Sequence, residues 1–410
     1  MTFLPDGWEE RPLGELVDIL DGRRVPVNAK ERAERPGVVP YYGATGQVGW
    51  IDQSLFDEPL VLLGEDGVQF LDRDKAKAYG ITGPAWVNNH AHVLRARDEV
   101  MDRRYLVHYL NWVDYSGLAN GTTRLKLTQA AMRRIAVRLP AREEQRRIVD
   151  RLEDHLSRLD AGRAYADSAR RKNQSALAAW CERLVWKRAD RTRTIGSLLR
   201  EPMRNGLSAR ASQHGTTRVL TLTAVTKNSF SDAFTKLVDV DARKAANVML
   251  ASGDILVQRS NTPELVGSAA LYEGPNGWAI YPDLMIRLRC DEAVVMPQYM
   301  TLALRSARAQ RYFRSRAKGL AGSMPKIDQS TISELKVPLP SLDEQRRSMA
   351  VAKELTEQAS RLDDAVRKAT ARAGTLRRAL LEAAFSGRLT GRTSDIGIAE
   401  ELAERRAGLG

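Results

Sequence analysis

The chain has 410 residues, 43% of them hydrophobic, which excludes wholesale disorder and leaves room for about two to four domains with cores of their own. Its 64 lysines and arginines outnumber 51 acidic residues, and the resulting charge of +13 favours nucleic acid or an anionic surface as partner. No stretch approaches the roughly 18–20 apolar residues of a spanning helix, and no basic segment precedes an apolar one at the N-terminus, so neither a membrane partner nor secretion is expected.

Two isolated cysteines, Cys181 and Cys290, make neither a metal quartet nor a disulfide framework. The chain reads as cytoplasmic. Residues 1–140 carry short apolar runs punctuated by glycine and proline: Pro40-Tyr-Tyr-Gly-Ala-Thr-Gly46, Leu60-Val-Leu-Leu-Gly64 and His90-Ala-His-Val-Leu94. Such runs between turn signals predict strands. A helix is predicted over 102–112, with Asp102 as its cap and Tyr105, Leu106, Tyr109, Leu110 and Trp112 as apolar positions. The first body is therefore a mixed α/β domain.

Residues 141–190 change character: proline disappears, and Arg, Glu, Asp, Ala and Leu dominate. Leu152, Leu159, Leu177, Trp180 and Leu184 mark a seam at helical spacing, interrupted by Arg163, Arg170 and Asn173. That pattern predicts a long helix whose polar middle can fix register. Residues 191–340 return to the first texture and predict a second mixed domain. Residues 341–386 predict a second long helix, with Leu355, Leu362, Val366, Leu376 and Leu380 on its seam, and 387–410 read as a flexible C-terminal tail. The fold class is α+β: two mixed α/β domains separated by two long helices that form an antiparallel coiled coil.

Both long helices open on nearly the same residues. Leu139-Pro140-x-x-x-Glu144-Gln145-Arg146-Arg147 recurs as Leu339-Pro340-x-x-x-Glu344-Gln345-Arg346-Arg347, at an offset of 200. A period so much longer than that of solenoid repeats marks a duplicated domain plus an appended helix. Proline ends the preceding strand, and acidic residues in the first turn suit the helix dipole and cap, so the motif reads as a helix start. Its duplication supports a second role, in which Glu144, Gln145, Glu344 and Gln345 serve a subunit interface.

This order of globular segment, motif and long helix, given twice, resembles the specificity subunit of type I restriction–modification enzymes along essentially the whole chain. Pro338-Leu339-Pro340 with Glu344-Gln345 has the family motif complete, and the first copy carries Arg138 in place of the leading proline. Pro40–Gly46 with Gly49-Trp-Ile-Asp52 looks like the turn region of a target-recognition domain; Gly253-Asp-Ile-Leu-Val-Gln-Arg259 with Val266-Gly267 looks like its counterpart in another subfamily. The resemblance implies two target-recognition domains, each reading one half of a split, asymmetric site in double-stranded DNA. It implies that the long helices act as a molecular ruler and dock two modification subunits, which carry S-adenosylmethionine and methylate adenine N6. Motor/nuclease subunits would complete the restriction enzyme. The chain itself would be non-catalytic and hold no cofactor.

Arg and Lys meet phosphates and guanine edges, while Asn and Gln suit adenine. On that chemistry the first domain offers Arg23, Arg24, Tyr41, Tyr42, Arg124 and Lys126 for DNA contact. The second offers Arg204, Asn205, Lys227, Arg259, Asn261, Ser323 and Lys326. Gly121-Thr-Thr-Arg-Leu-Lys126 and Gly319-Leu-Ala-Gly-Ser-Met-Pro-Lys326 correspond in the two halves. Each cation can equally be a solvated surface charge, and Tyr41 and Tyr42 can equally be core aromatics. Catalytic signals are missing. Asn261-Thr-Pro-Glu264 lacks the second proline and the aromatic of an amino-methyltransferase motif, and no carboxylate–lysine nuclease core follows Gly64-Glu-Asp-Gly67. His90 and His92 alternate with no acidic partner at ligand spacing, and no phosphate loop occurs. Neither catalytic nor metal residues are expected; the competing reading is a stand-alone DNA methyltransferase or nuclease with degenerate motifs.

Overall fold

The structure, a computed structural model, describes residues 4–186, 191–212, 214–319 and 324–390. They form two compact units, one built from the chain up to Asp167 and again from Val366, the other from Ser168–Ala365. Two long helices, Arg142–Trp186 and Leu342–Phe385, each contribute to both.

In the first unit an antiparallel sheet runs in the order Val17–Ile19, Ala91–Ala96, Leu60–Gly64, Ala78–Ile81. Every residue of Leu60–Gly64 is buried, because the strand is covered on both faces and so has no polar alternation. Leu60 and Leu62 pack with Phe56, Ala85 and Val87 of a second four-stranded sheet. Val61 and Leu63 face a core shared with the helix Arg103–Trp112 and the long helices. That shorter helix starts as its sequence predicts: Asp102 Oδ1 accepts from Arg104 N (2.8 Å) and Tyr105 N (3.3 Å). Phe385, at the end of the second long helix, is fully buried against Tyr105, Tyr109 and Trp112, with ring centroids 5.3, 5.0 and 5.3 Å away. Just beyond it Leu389 is buried, and Arg151 Nη1 donates to its carbonyl (3.1 Å). The segment read as a flexible tail therefore begins with packed residues; its remainder, 391–410, lies outside the described residues.

The second unit repeats the plan. Its four-stranded antiparallel sheet runs Arg204–Asn205, Met285–Leu288, Ile255–Gln258, Ala269–Leu271, and all of Ile255–Gln258 is buried. Thr192–Thr194 pairs antiparallel with Lys336–Pro338, as Glu9–Pro12 does with Ala136–Leu139. In each unit the first strand thus lies beside the strand that leads into a long helix. The helical stretch after Met296 is two helices, Pro297–Arg305 and Ala307–Arg316, because Ser306 is extended and its Oγ accepts from Ala309 N (3.2 Å) to cap the second. Val185 is buried here, and Trp186 Nε1 donates to Ser306 Oγ (3.1 Å).

The long helices pack against each other in both units. Arg377 Nη1 lies 2.7 Å from Asp160 Oδ1 in the first, and Asn173 Nδ2 donates to Ala359 O (3.2 Å) in the second. Numbers rise on one helix as they fall on the other, so the pair is antiparallel. The seam differs in part from its sequence reading. Leu152, Val366 and Leu380 are buried, and Leu159, Leu177, Leu184, Leu355 and Leu376 are half-buried. Trp180 is 50% exposed, with the Arg183 guanidinium 5.1 Å from its ring, and Leu362 is 39% exposed. Ala352, Ala359 and Val366 form the buried line, and Asp363 faces Arg170 (3.8 Å) and Gln174 (3.5 Å) beside it, which turns Leu362 outward. Seven-residue spacing of small side chains, not every apolar position, sets the contact.

Candidate nucleic-acid interface

In the first unit the buried strand Leu60–Gly64 runs out into Glu65, Asp66 and Gly67. A hairpin, Ala119–Asn120 with Lys126–Leu127, lies across that exit: Leu127 N donates to Glu65 O (2.8 Å), and Asp66 bridges Lys126. The hairpin turns at Gly121, whose φ of +148° an L side chain rarely adopts. Two predicted cations are thereby set on two carboxylates. Lys126 Nζ is 2.9 Å from Glu65 Oε1, and Arg124 Nη2 is 2.8 Å from Asp66 Oδ1. Arg24 Nη1 donates to Glu65 Oε2 (2.7 Å) and to Ala91 O (2.8 Å).

Beneath them lies His92, fully buried, with Nδ1 2.6 Å from Asp21 Oδ2 and Nε2 2.8 Å from Leu127 O. Burial opposes ionisation of Asp21 and Glu65, but hydrogen bonds outweigh it. Those from His92 and Val93 N–H at Asp21, and from Lys126 and Arg24 at Glu65, hold both below the usual carboxylate range. Sequence spacing gave His92 no acidic partner; the fold brings two, and Asp21, Glu65 and His92 offer ligand atoms within 4.8 Å of one another. Arg24 and Lys126 already occupy those carboxylates, so the chemistry of the cluster is that of an ion-pair network. The signal was visible only as the acidic Gly64-Glu-Asp-Gly67 and the His90/His92 pair, without their connection.

The second unit has the same juxtaposition with different charges. Ile255–Gln258 runs out into Arg259 and Ser260; Ile327 N donates to Arg259 O (2.9 Å), and Ser260 bridges Lys326. Arg259 thus stands where Glu65 does, and Ser260 where Asp66 does. Among the described residues neither Arg259 nor the exposed Lys326 has an ion pair. Asn261 is buried in a turn, its Nδ2 donating to Gln258 Oε1 (2.7 Å). Gln258 Nε2 donates in turn to Leu222 O (2.6 Å), on the short helix that ends at the exposed Lys227. Arg204 and Asn205 form an exposed edge strand, and Gln329 Nε2 donates to Asn205 Oδ1 (3.0 Å). Ser323 lies outside the described residues.

The remaining candidates divide by burial. Arg23 is half-exposed, donating to Leu55 O (2.8 Å) above the Phe56 ring. Tyr41 is buried and its hydroxyl donates to Val27 O (2.9 Å), which makes it a core side chain; Tyr42 next to it keeps a partly exposed ring. Gln145 and Gln345 are fully buried and have no surface to offer a partner subunit. Gln145 Oε1 accepts from Asp102 N (2.7 Å), while Nε2 donates to Val100 O (2.8 Å) and Pro140 O (2.9 Å). Gln345 does the same with Met296 N (2.8 Å), Val294 O (3.1 Å) and Pro340 O (2.9 Å). Glu344 closes a capping box with Ser341, whose N and Oγ both donate to Glu344 Oε2 at 3.1 Å. Glu144 pairs with Arg147 (2.7 Å) and with the Thr390 hydroxyl.

The α+β scaffold is thus given twice, and in each unit a basic segment lies at the exit of the equivalent buried strand. Residues 5–164 match the family of the type I restriction modification DNA specificity domain. The chain is 23% identical over 355 residues to a candidate type I restriction enzyme specificity subunit of Haemophilus influenzae, covering 84% of this chain and 86% of that one. It is 24% identical over 315 residues to the StySPI specificity subunit of Salmonella potsdam, covering 72% and 67%. A chain from a solved structure on assembly and conformational transition of the type I R-M system superposes with a TM-score of 0.73 at 17% identity, over 95% of this chain and all of that one, and shares its fold. The chain is thus similar along most of its length to type I restriction enzyme specificity subunits, and its residues 5–164 match their DNA specificity domain. Among the described residues no helix is long and apolar enough to cross a membrane.

Proposed function

We propose that the chain is the non-catalytic DNA-specificity subunit of a cytoplasmic type I restriction–modification system. Its two units each read one half of a split, asymmetric target in double-stranded DNA, and its long helices serve as the ruler for half-site spacing. The helices also dock two modification subunits, which bring S-adenosylmethionine and methylate adenine N6; motor/nuclease subunits join through them. The observation that carries this reading is the repeated juxtaposition of a strand exit with a basic segment: Lys126 against Glu65–Asp66, and Lys326 against Arg259–Ser260. Two such places on one duplicated scaffold suit two half-sites. Cations there would contact the phosphate backbone, and side chains nearby would reach base edges.

Reconstitution tests it. The purified chain mixed with its modification subunit should form a one-to-two complex that methylates duplex DNA, while either component alone transfers no methyl group. Methyl transfer by this chain alone would overturn the assignment.

A further inference from the structure

The two units correspond in backbone at this strand exit and differ there in charge. In the first, Arg124 and Lys126 are 60% and 53% exposed, but the carboxylates that hold them, Asp66 and Glu65, lie mostly covered beneath. The first contact is built into the backbone. Gly67 takes φ +74°, and a Cβ there would overlap Arg124 Nη2, so the guanidinium rests directly on a bare turn. The Asp66 oxygen that Arg124 meets also lies 2.9 Å from His90 Nδ1, which steadies the carboxylate from the other side. In the second unit the same two positions are Arg259 and Ser260, which offer no carboxylate to Lys326.

We propose that Asp66 and Glu65 form an ionic latch that holds Arg124 and Lys126 until phosphates of duplex DNA displace them. The inference rests on the DNA-binding function proposed above and assigns the two units unequal shares of it. Exposed ion pairs are weak and screened by salt, so a phosphate arriving from solvent can take the outward cations from carboxylates that stay in place. Until then the first unit presents little net positive charge at its hairpin. Non-specific attraction comes mainly from the second unit, where Arg259 and Lys326 have no ion pair among the described residues. The latch lowers binding of the first unit to random sequence, because each displaced ion pair offsets part of the counterion release that a phosphate contact provides.

The full chain, titrated against a fluorescent random-sequence duplex over a series of salt concentrations, tests this. Asp66→Asn should tighten binding several-fold and steepen the slope of log Kd against log salt by about 0.9, the value for one additional phosphate contact. Asp66→Ser, which installs the residue the second unit has at this place, should do the same and guards against a folding defect peculiar to one variant. Adding Arg124→Gln to either should cancel the gain. Wild-type binding with unchanged affinity and slope in both Asp66 variants would overturn the latch alone, as would a gain that survives Arg124→Gln. No binding of any duplex by wild type and variants alike would overturn the DNA-binding function, and the latch with it.

Discussion

Gln145 and Gln345 stand at an offset of 200 and make the same three hydrogen bonds, each with its own unit. Each accepts from the backbone N–H at the entry to a shorter helix, donates to the carbonyl two residues before it, and donates to the proline carbonyl that precedes its own long helix. Only a neutral amide supplies one acceptor and two donors in that geometry. The duplicated motif is therefore a joint between a globular unit and its helix, and its conspicuous glutamine acts inside the protein.

Replacing either glutamine by leucine should strand one N–H and two carbonyls away from water. Unmatched buried groups cost about 1–3 kcal/mol each, so a loss of roughly 3 kcal/mol or more is expected from either variant. Urea denaturation followed by circular dichroism measures it. Unchanged midpoints would mean that the joints do not hold the units to their helices.

The seam makes a second, graded prediction. Leu380 is buried and Leu362 is 39% exposed, so Leu380→Ala should cost about 2–4 kcal/mol and Leu362→Ala well under half of that. Phe385→Ala, which empties the place among Tyr105, Tyr109 and Trp112, should cost about 3–5 kcal/mol. Thermal melting should show the smallest loss for Leu362→Ala, a larger one for Leu380→Ala and the largest for Phe385→Ala; equal losses at Leu362 and Leu380 would contradict the register.

Acid should weaken the first unit through Asp21 and Glu65. Both are held below their ordinary values of 3.8 and 4.5, so the folded state prefers the ionised forms more than the unfolded chain does. Their contribution is full above those ordinary values and is lost as pH falls through the lower folded ones. Melting temperature should accordingly fall as pH drops below the ordinary values of 4.5 and 3.8, and Asp21→Asn should be less stable at pH 7 with a shallower acid dependence. A variant with the same acid slope as wild type would remove Asp21 from this account.

Much of the architecture was legible in the sequence because it rests on local rules. Asp102 ahead of an apolar helical series, and the loss of proline after Pro140, mark helices that need no long-range information. The charge network was not legible: Asp21, Glu65, His92 and Lys126 come from separate segments, and only sheet order brings them together. Burial misled in a similar way. Tyr41 and Tyr42 are neighbours of the same type, yet the pleat turns one into the core. Leu362 fits the apolar spacing, but Asp363 takes the polar contact across the seam. Gln145 looked like an interface residue because its partners, at Val100 and Asp102, lie more than forty positions away.

The central claim, that one chain carries two independent DNA readers and no catalysis, is tested most directly by exchanging residues 191–340 for the equivalent segment of a relative. A host expressing the hybrid with its modification subunits would then be mapped for N6-methyladenine by single-molecule sequencing. The expected result is a bipartite methylated site in which one half changes and the other is kept. A site changed in both halves, or methylation that persists at the same sequence without this chain, would contradict it.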